Sequence, residues 1–366
     1  MKARPPLYFF NWPSNVGGAD TKVTHLLLLL HRHYDITMVP NTREQLLQLG
    51  WRKFLKRLGV KAALWENLPK KLHGIALSLC NGRFLGEGIV LQAKQRGLRV
   101  IWSSEMMWHH GPEIAAVAFG VIDKVLYVSE AQKQLLAPGY GKCPSAITGN
   151  YIDPTFFPFS ERRRTADAPL VIGRLSRPDP AKFPPDFPEF YESLEDVTRI
   201  ARIDAKGKTI RGASRNSRQP PRTRFRVMAW SEEMAKVYAR HRFDARWELL
   251  AKEAESQVKF LHSLDLFVYS LGPTFRESWG RSTVEAMLTG CVPLVPTGGG
   301  HHLENLIPHG QAGFLCPTND DYREHVARLR KDVILRKKIS RAARRHAENE
   351  LCHRAEHLRI WKRALD

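Results

Sequence analysis

Short apolar runs of four to six residues alternate along this chain with stretches of helical spacing, and that alternation constrains the fold more than any other feature. In the first half the runs are Leu7–Phe10, Ile36–Val39, Gly74–Leu79, Arg99–Ser103 and Lys124–Ser129. Runs that short and that continuously apolar suit strands of a parallel sheet buried on both faces. Between them, Thr21–Tyr34, Thr42–Leu58, Gly86–Arg96 and Glu130–Leu136 read as helices. This alternation of strand and helix predicts an α/β, doubly wound domain. The pattern dissolves between Phe159 and Ala168 and then resumes. New strands are predicted at Leu170–Leu175, Phe225–Trp230, Leu266–Tyr269, Val292–Pro296 and Gly313–Cys316, with helices at Glu232–Arg240 and Thr283–Leu288. From Tyr322 onward the chain is helical in pattern. The expected organisation is a first domain over 1–160, a linker over 161–168, a second domain over 169–345 and a closing helical segment over 346–366.

A chain of 366 residues agrees with two cores rather than one. Its formal net charge of +20 calls for an anionic partner, either nucleic acid or an anionic membrane surface. The five cysteines at 80, 143, 291, 316 and 352 have no close pair. They argue against a disulfide framework and a zinc site and for a reducing, cytoplasmic setting. His109-His110 and His301-His302 are adjacent pairs, poorly spaced to converge on one ion, so no metal is expected. The apolar run Leu26–Leu30 is too short to span a bilayer, and the N-terminus lacks the pattern of a signal peptide.

The chemistry concentrates in the stretch FRESWGRSTVEAMLTG, where Glu277 and Glu285 stand eight residues apart. A polar loop leads through Ser278-Trp279-Gly280 into a helix that stops at Thr289-Gly290. Such an entry presents backbone N–H groups and the positive end of the helix dipole, which suit a phosphate. Glu277 precedes that end and Glu285 lies inside it. Carboxylates accept hydrogen bonds from sugar hydroxyls, so the pair outlines hydroxyl, phosphate, hydroxyl: a nucleotide sugar.

This stretch resembles the donor-site signature of the family-4 retaining glycosyltransferases, which have the two-domain GT-B fold. Four more segments resemble that family in the same order: FFNWPSNVGGADTKVTHLL at 9–27, GNYIDPTFF at 149–157, VIGRLSRPDPAKF at 171–183 and GGGHHLENLIPHGQAGFL at 298–315. The resemblance spans nearly the whole chain. It implies two Rossmann-like domains facing each other across a cleft, with the last helix packing back on the first. It also implies transfer of a hexose-type sugar from a nucleotide-sugar donor, UDP- or GDP-sugar, with no cofactor and no metal. Arg174, and Lys182 or in its place Arg177, would neutralise the donor diphosphate as it leaves. Gly173, with Arg174, comes at a strand end where ligands of such sheets sit, and the Gly17-Gly18 pair would allow close backbone approach to a diphosphate or to the acceptor, although such a pair is also an ordinary turn. Glu285 resembles the ribose-binding carboxylate and Glu277 the one that meets the sugar hydroxyls. Ser278, Trp279 and Gly280 would face the phosphates; Trp279 reads equally as core, and Arg281 as a phosphate contact or an exposed side chain.

On the acceptor side the chain departs from the family. Where many members carry a histidine after the fourth strand, this one has IWSSEMMWHHG, leaving Glu105, His109 and His110 as candidate bases. Two basic elements bear on the acceptor. WRKFLKRL at 51–58 has Trp51, Phe54, Leu55 and Leu58 on one helical face and four cations on the other. It reads as an interfacial membrane helix or as a helix packed on its sheet. KGKTIRGASRNSRQPPRTRFR at 206–226 reads as a basic loop. The expected acceptor is a lipid-linked or cell-envelope glycan at the cytoplasmic membrane face. The alternatives are a GT-B enzyme that glycosylates nucleic acid and an inactive GT-B binding protein.

Overall fold

The computed structural model describes residues 3–14, 18–162, 168–195 and 223–366. Gly17, the core of the expected linker and residues 206–222 of the basic segment lie outside the described residues. The chain divides into two compact units. Unit 1 holds Met1–Asp153, Glu277–Trp279 and Cys352–Asp366, and unit 2 holds Pro154–Arg276 and Gly280–Leu351.

Unit 1 runs β1 (Pro6–Phe9), α1 (Gly18–Leu30), β2 (Asp35–Met38), α2 (Arg43–Leu47), α3 (Leu49–Leu58), β3 (Lys61–Ala62), β4 (Ile75–Leu79), α4 (Gly82–Gly86), α5 (Ile89–Gln95), β5 (Arg99–Ser103), α6 (Gly111–Ala118), β6 (Lys124–Tyr127), α7 (Glu130–Tyr140) and β7 (Ser145–Ile147). The seven strands form one sheet in the order β3-β2-β1-β4-β5-β6-β7, every pair parallel. Because side chains alternate along a strand, each strand feeds two cores. Leu7 and Phe9 of β1, Leu77 of β4, Ile101 of β5 and Leu126 of β6 enter one. Phe10, Ala76, Val100, Trp102 and Val125 enter the other. Burial on both faces is why these strands read as unbroken apolar runs.

Unit 2 runs β8 (Leu170–Leu175), α8 (Phe187–Ser193), β9 (Thr223–Met228), α9 (Glu232–Val237), β10 (Trp247–Leu250), α10 (Gln257–Ser263), β11 (Leu266–Val268), α11 (Arg281–Thr289), β12 (Val292–Pro296), β13 (Phe314–Cys316), α12 (Asn319–Lys331) and α13 (Val333–His346). Its six strands form a second all-parallel sheet, in the order β10-β9-β8-β11-β12-β13. The chain closes with α14 (Arg354–Leu365), which belongs to unit 1. There Trp361, Ala364 and Leu365 join the core beside α1. Arg99 donates to the Asp366 carbonyl at 2.7 Å and Lys124 to that of Ala364 at 2.7 Å, so two cations hold the negative end of the helix.

Several predicted boundaries move. The single helix expected over Thr42–Leu58 is two, broken at Gln48, whose backbone turns extended. Trp51, Phe54 and Leu58 pack on the core with buried Leu55, so the apolar face of α3 is turned inward rather than toward a membrane. The strand predicted from Phe225 opens two residues earlier, at Thr223, within the basic segment.

Candidate functional site

In unit 2 the strand order reverses between β8 and β11, and ligands of open α/β sheets lie beyond the carboxyl ends of strands at such a point. After β8 the chain makes a short 3-10 turn, Pro180–Lys182, capped by Asp179, whose carboxylate accepts from Ala181 N at 3.0 Å. After β11 it forms the loop from Tyr269 to Arg276. The two segments press together so closely that a Cβ on Gly272 would collide with the Ala181 carbonyl. Lys182 is buried in this contact, its Nζ 3.4 Å from Tyr269 Oη and 4.7 Å from the centre of the Phe275 ring. The expected substitute, Arg177, is exposed, with Asp179 at 3.8 Å.

Arg174 does not sit as the sequence suggests. Its side chain is 0 % exposed, and the guanidinium donates to the Ser270 carbonyl at 2.6 Å and the Lys182 carbonyl at 3.2 Å. It stacks 3.9 Å from the centre of Phe183 and 4.8 Å from that of Tyr269. In this position it ties the Lys182 turn to the end of β11 and presents no face to a diphosphate. Gly173 is likewise internal to β8. A Cβ there would run into the Arg226 carbonyl of β9 and the Leu264 side chain, so this glycine serves strand packing rather than ligand approach.

The helix entry matches its sequence outline. α11 begins after Gly280, at φ +95°, and ends on Gly290, at φ +93°. A side chain at 280 would be strained and would strike Leu303, so only glycine fits this entry. Arg281 and Glu285, one turn apart, are both buried and form an ion pair at 3.3 Å. Gln257 of α10 donates to the other carboxylate oxygen. Burial pushes the Glu285 carboxyl above the usual range, and Arg281 and Gln257 offset only part of that effect. Trp279 is buried, as its core reading had it. Ser278 Oγ donates to the Glu105 carbonyl at 2.9 Å, which anchors residues 277–279 to unit 1, and Glu277 is half-buried.

The three acceptor-side candidates part company. Glu105 Oε1 accepts from Lys22 Nζ at 2.7 Å and from Ser103 Oγ at 2.8 Å. His109 Nε2 is 2.9 Å from the Leu136 carbonyl, and its ring packs edge-on to Tyr140. His110 Nε2 lies 3.3 Å from Cys80 Sγ. Only Glu105 is joined to the Glu277 loop. Gly18 is the first residue of α1. Sequence reasoning missed Lys22, Gln257 and Cys80. The one available signal was a lysine inside the apolar face of α1, four residues past Gly18. Among the described residues no group of three or more His, Cys, Asp or Glu could hold a metal ion, and no helix is long and apolar enough to cross a membrane.

No protein-family model matches the chain, and no curated protein does. Solved structures do. The Anabaena protein HepE, crystallised with UDP and glucose, superposes with a TM-score of 0.70 at 14% identity, over 99% of both chains. A glycosyltransferase from Rickettsia africae gives 0.66 at 12% identity over 100% of both. The lipopolysaccharide outer core galactosyltransferase WaaB gives 0.57 at 13%, over 98% of this chain and 99% of that one. Two parallel Rossmann-like sheets of seven and six strands, shared over full length with these glycosyltransferases, give the chain the GT-B fold.

Proposed function

We propose that the chain is a retaining glycosyltransferase that moves a hexose-type sugar from a UDP- or GDP-sugar to a lipid-linked or cell-envelope glycan at the cytoplasmic face of a membrane. The observation that carries this reading is the entry of α11. A glycine-only helix start is followed by a buried Arg281–Glu285 pair, on a fold shared with proteins crystallised with UDP and UDP-glucose. Helix N–H groups and the dipole suit the diphosphate, while Glu285, held by Arg281 and Gln257, would accept from the ribose hydroxyls. Lys182 would carry the charge that grows on the leaving diphosphate. Arg174 would act through it, as a positioning residue. Glu277 would meet the sugar hydroxyls.

In a same-face displacement the bond from the anomeric carbon to the phosphate oxygen breaks. The acceptor oxygen bonds to that carbon on the same side, and its proton passes to the departing phosphate. No protein nucleophile and no metal is required. Glu105 is the acceptor-side residue favoured by its link through Ser278 to the Glu277 loop.

The membrane part of the proposal rests on the surface around α2 and α3. Leu47 and Leu49 are 70% and 67% exposed, beside the outward cations Arg52, Lys53, Lys56 and Arg57. Each cation near an anionic surface contributes about 1 kcal/mol. Thermal shift against UDP-, GDP-, ADP- and dTDP-sugars tests the donor assignment, since a bound ligand stabilises the fold by mass action. Stabilisation by none of them would end it. Co-flotation with anionic vesicles, lost in Leu47→Ser/Lys53→Glu, tests the membrane assignment.

A further inference from the structure

Unit 1 has its own switch point, between β1 and β4, and a cavity of about 510 Å³ opens at the strand ends there. Its size falls within the roughly 300–1,000 Å³ of small-ligand sites. Buried Phe10, Trp65 and Phe84 line its apolar side. Asn81 braces the opposite side. It donates to the Phe10 carbonyl at 2.7 Å and to Asn41 Oδ1 at 2.8 Å, and accepts from the backbone N–H groups of Arg83 and Phe84 at the start of α4. Every hydrogen-bonding position of Asn81 is therefore used within the protein, and its task is to fix Asn41.

Two amides are left with donors to offer. Asn41 has spent its oxygen on Asn81. Gln92 has spent its own on Trp65 Nε1, at 2.8 Å, which leaves both NH2 groups at the cavity. The rim carries two cations and two carboxylates, and they pair: Arg43 with Glu66 at 3.6 Å and Arg83 with Glu87 at 2.6 Å. The net rim charge is zero on a chain whose overall charge is +20. A polyanion would meet two carboxylates here. A neutral polyhydroxyl ligand would find amide donors, carboxylate acceptors and an aromatic wall for its C–H faces.

We propose that this cavity binds a neutral saccharide, the glycan portion of the acceptor. Its place in the reaction rests on the glycosyltransferase reading above; the binding itself does not. The Trp65 indole N–H, hydrogen-bonded to Gln92 at the cavity, is a built-in reporter. The test is a titration of the 15N-tryptophan-labelled full chain with maltose, cellobiose, lactose and chitobiose, and separately with inorganic pyrophosphate. The Trp65 signal is assigned from Trp65→Phe.

At least one disaccharide should shift that signal saturably. Asn41→Ala and exposed Gln92→Ala should each weaken the affinity ~5-fold or more, as expected for one lost hydrogen bond. The inference is overturned if no disaccharide moves Trp65, if both variants bind as well as wild type, or if pyrophosphate alone moves it. UDP-sugar thermal shift on the same sample separates the two readings. Saccharide binding without nucleotide binding would sink the transferase and leave the cavity assignment standing.

Discussion

Lys22, whose side chain is wholly enclosed, reaches from α1 to the end of β5 and donates to Glu105 Oε1 at 2.7 Å. Ser103 donates to the same oxygen, and the Glu105 carbonyl holds Ser278. A buried charge is tolerable only while its partner stays, so Lys22→Met should cost roughly 3–5 kcal/mol in unfolding free energy. Lys22→Met/Glu105→Gln, which removes both charges, should recover most of that loss. If Glu105 serves the acceptor, the double variant regains stability but not transfer. Denaturant melts beside transfer assays read both; a fully active double variant would exclude Glu105 from the chemistry.

Arg174 gives a prediction of the opposite kind. Enclosed by Phe183 and Tyr269 and bonded to two carbonyls, it needs a planar guanidinium. Arg174→Lys keeps the charge but loses the fork, and should destabilise unit 2 by about 2–3 kcal/mol, the worth of charged hydrogen bonds to buried carbonyls. The melting temperature should fall without UDP as well as with it. A variant of wild-type stability that had lost only nucleotide affinity would place Arg174 on the diphosphate after all.

Glu285 should make nucleotide binding sensitive to pH. Its carboxyl is raised by burial, so the folded protein holds a proton that the unfolded chain releases. The sign follows from linkage: stability is highest below the unfolded value, near 4.5, and declines as pH rises toward the raised folded value. Hydroxyl donors favour the ionised form, so UDP affinity should rise over the same window. Glu285→Gln should flatten the stability profile and remove that part of the affinity change. Taking the difference between wild type and variant cancels titration of the nucleotide itself. Parallel profiles for the two proteins would exclude Glu285 as the ribose contact.

At Gly280 the backbone stands at φ +95° and Leu303 fills the space a side chain would need. Gly280→Ala should therefore cost about 2 kcal/mol through strain at a left-handed position. It should also weaken nucleotide binding, because the helix entry must shift. Gly82→Ala, at a helix residue with open space around it, is the control and should be nearly silent. Equal melting temperatures for the two variants would contradict this account of the entry.

Most of both sheets is legible in the sequence because central parallel strands bury both faces and so stay apolar throughout. Three strands escape notice. β3 is two exposed residues, and β7 and β10 pair on one side only, so none of them needs an apolar run. The entry of α11 is equally legible, since Gly280, Arg281, Glu285 and Gly290 are local to one another. The enclosure of Arg174 is not legible, for the opposite reason. Phe183, Phe187 and Tyr269, which surround it, meet only through the tertiary fold. Lys22 and Glu105, 83 positions apart, pose the same difficulty. His109 and His110, adjacent in the sequence, have separate partners in the fold, the Leu136 carbonyl and Cys80, which adjacency alone does not reveal.

Unit 1 keeps Trp361 and Leu365 in its core, yet the ribosome makes these residues only after all of unit 2. A nascent chain therefore cannot finish its first-begun half first. Until α14 arrives, the apolar flank of α1 and the amino group of Lys22 near Trp361 lie open to water and to other chains. Expression of residues 1–153 alone should yield an aggregation-prone fragment, and supplying 352–366 as a separate peptide should rescue its solubility.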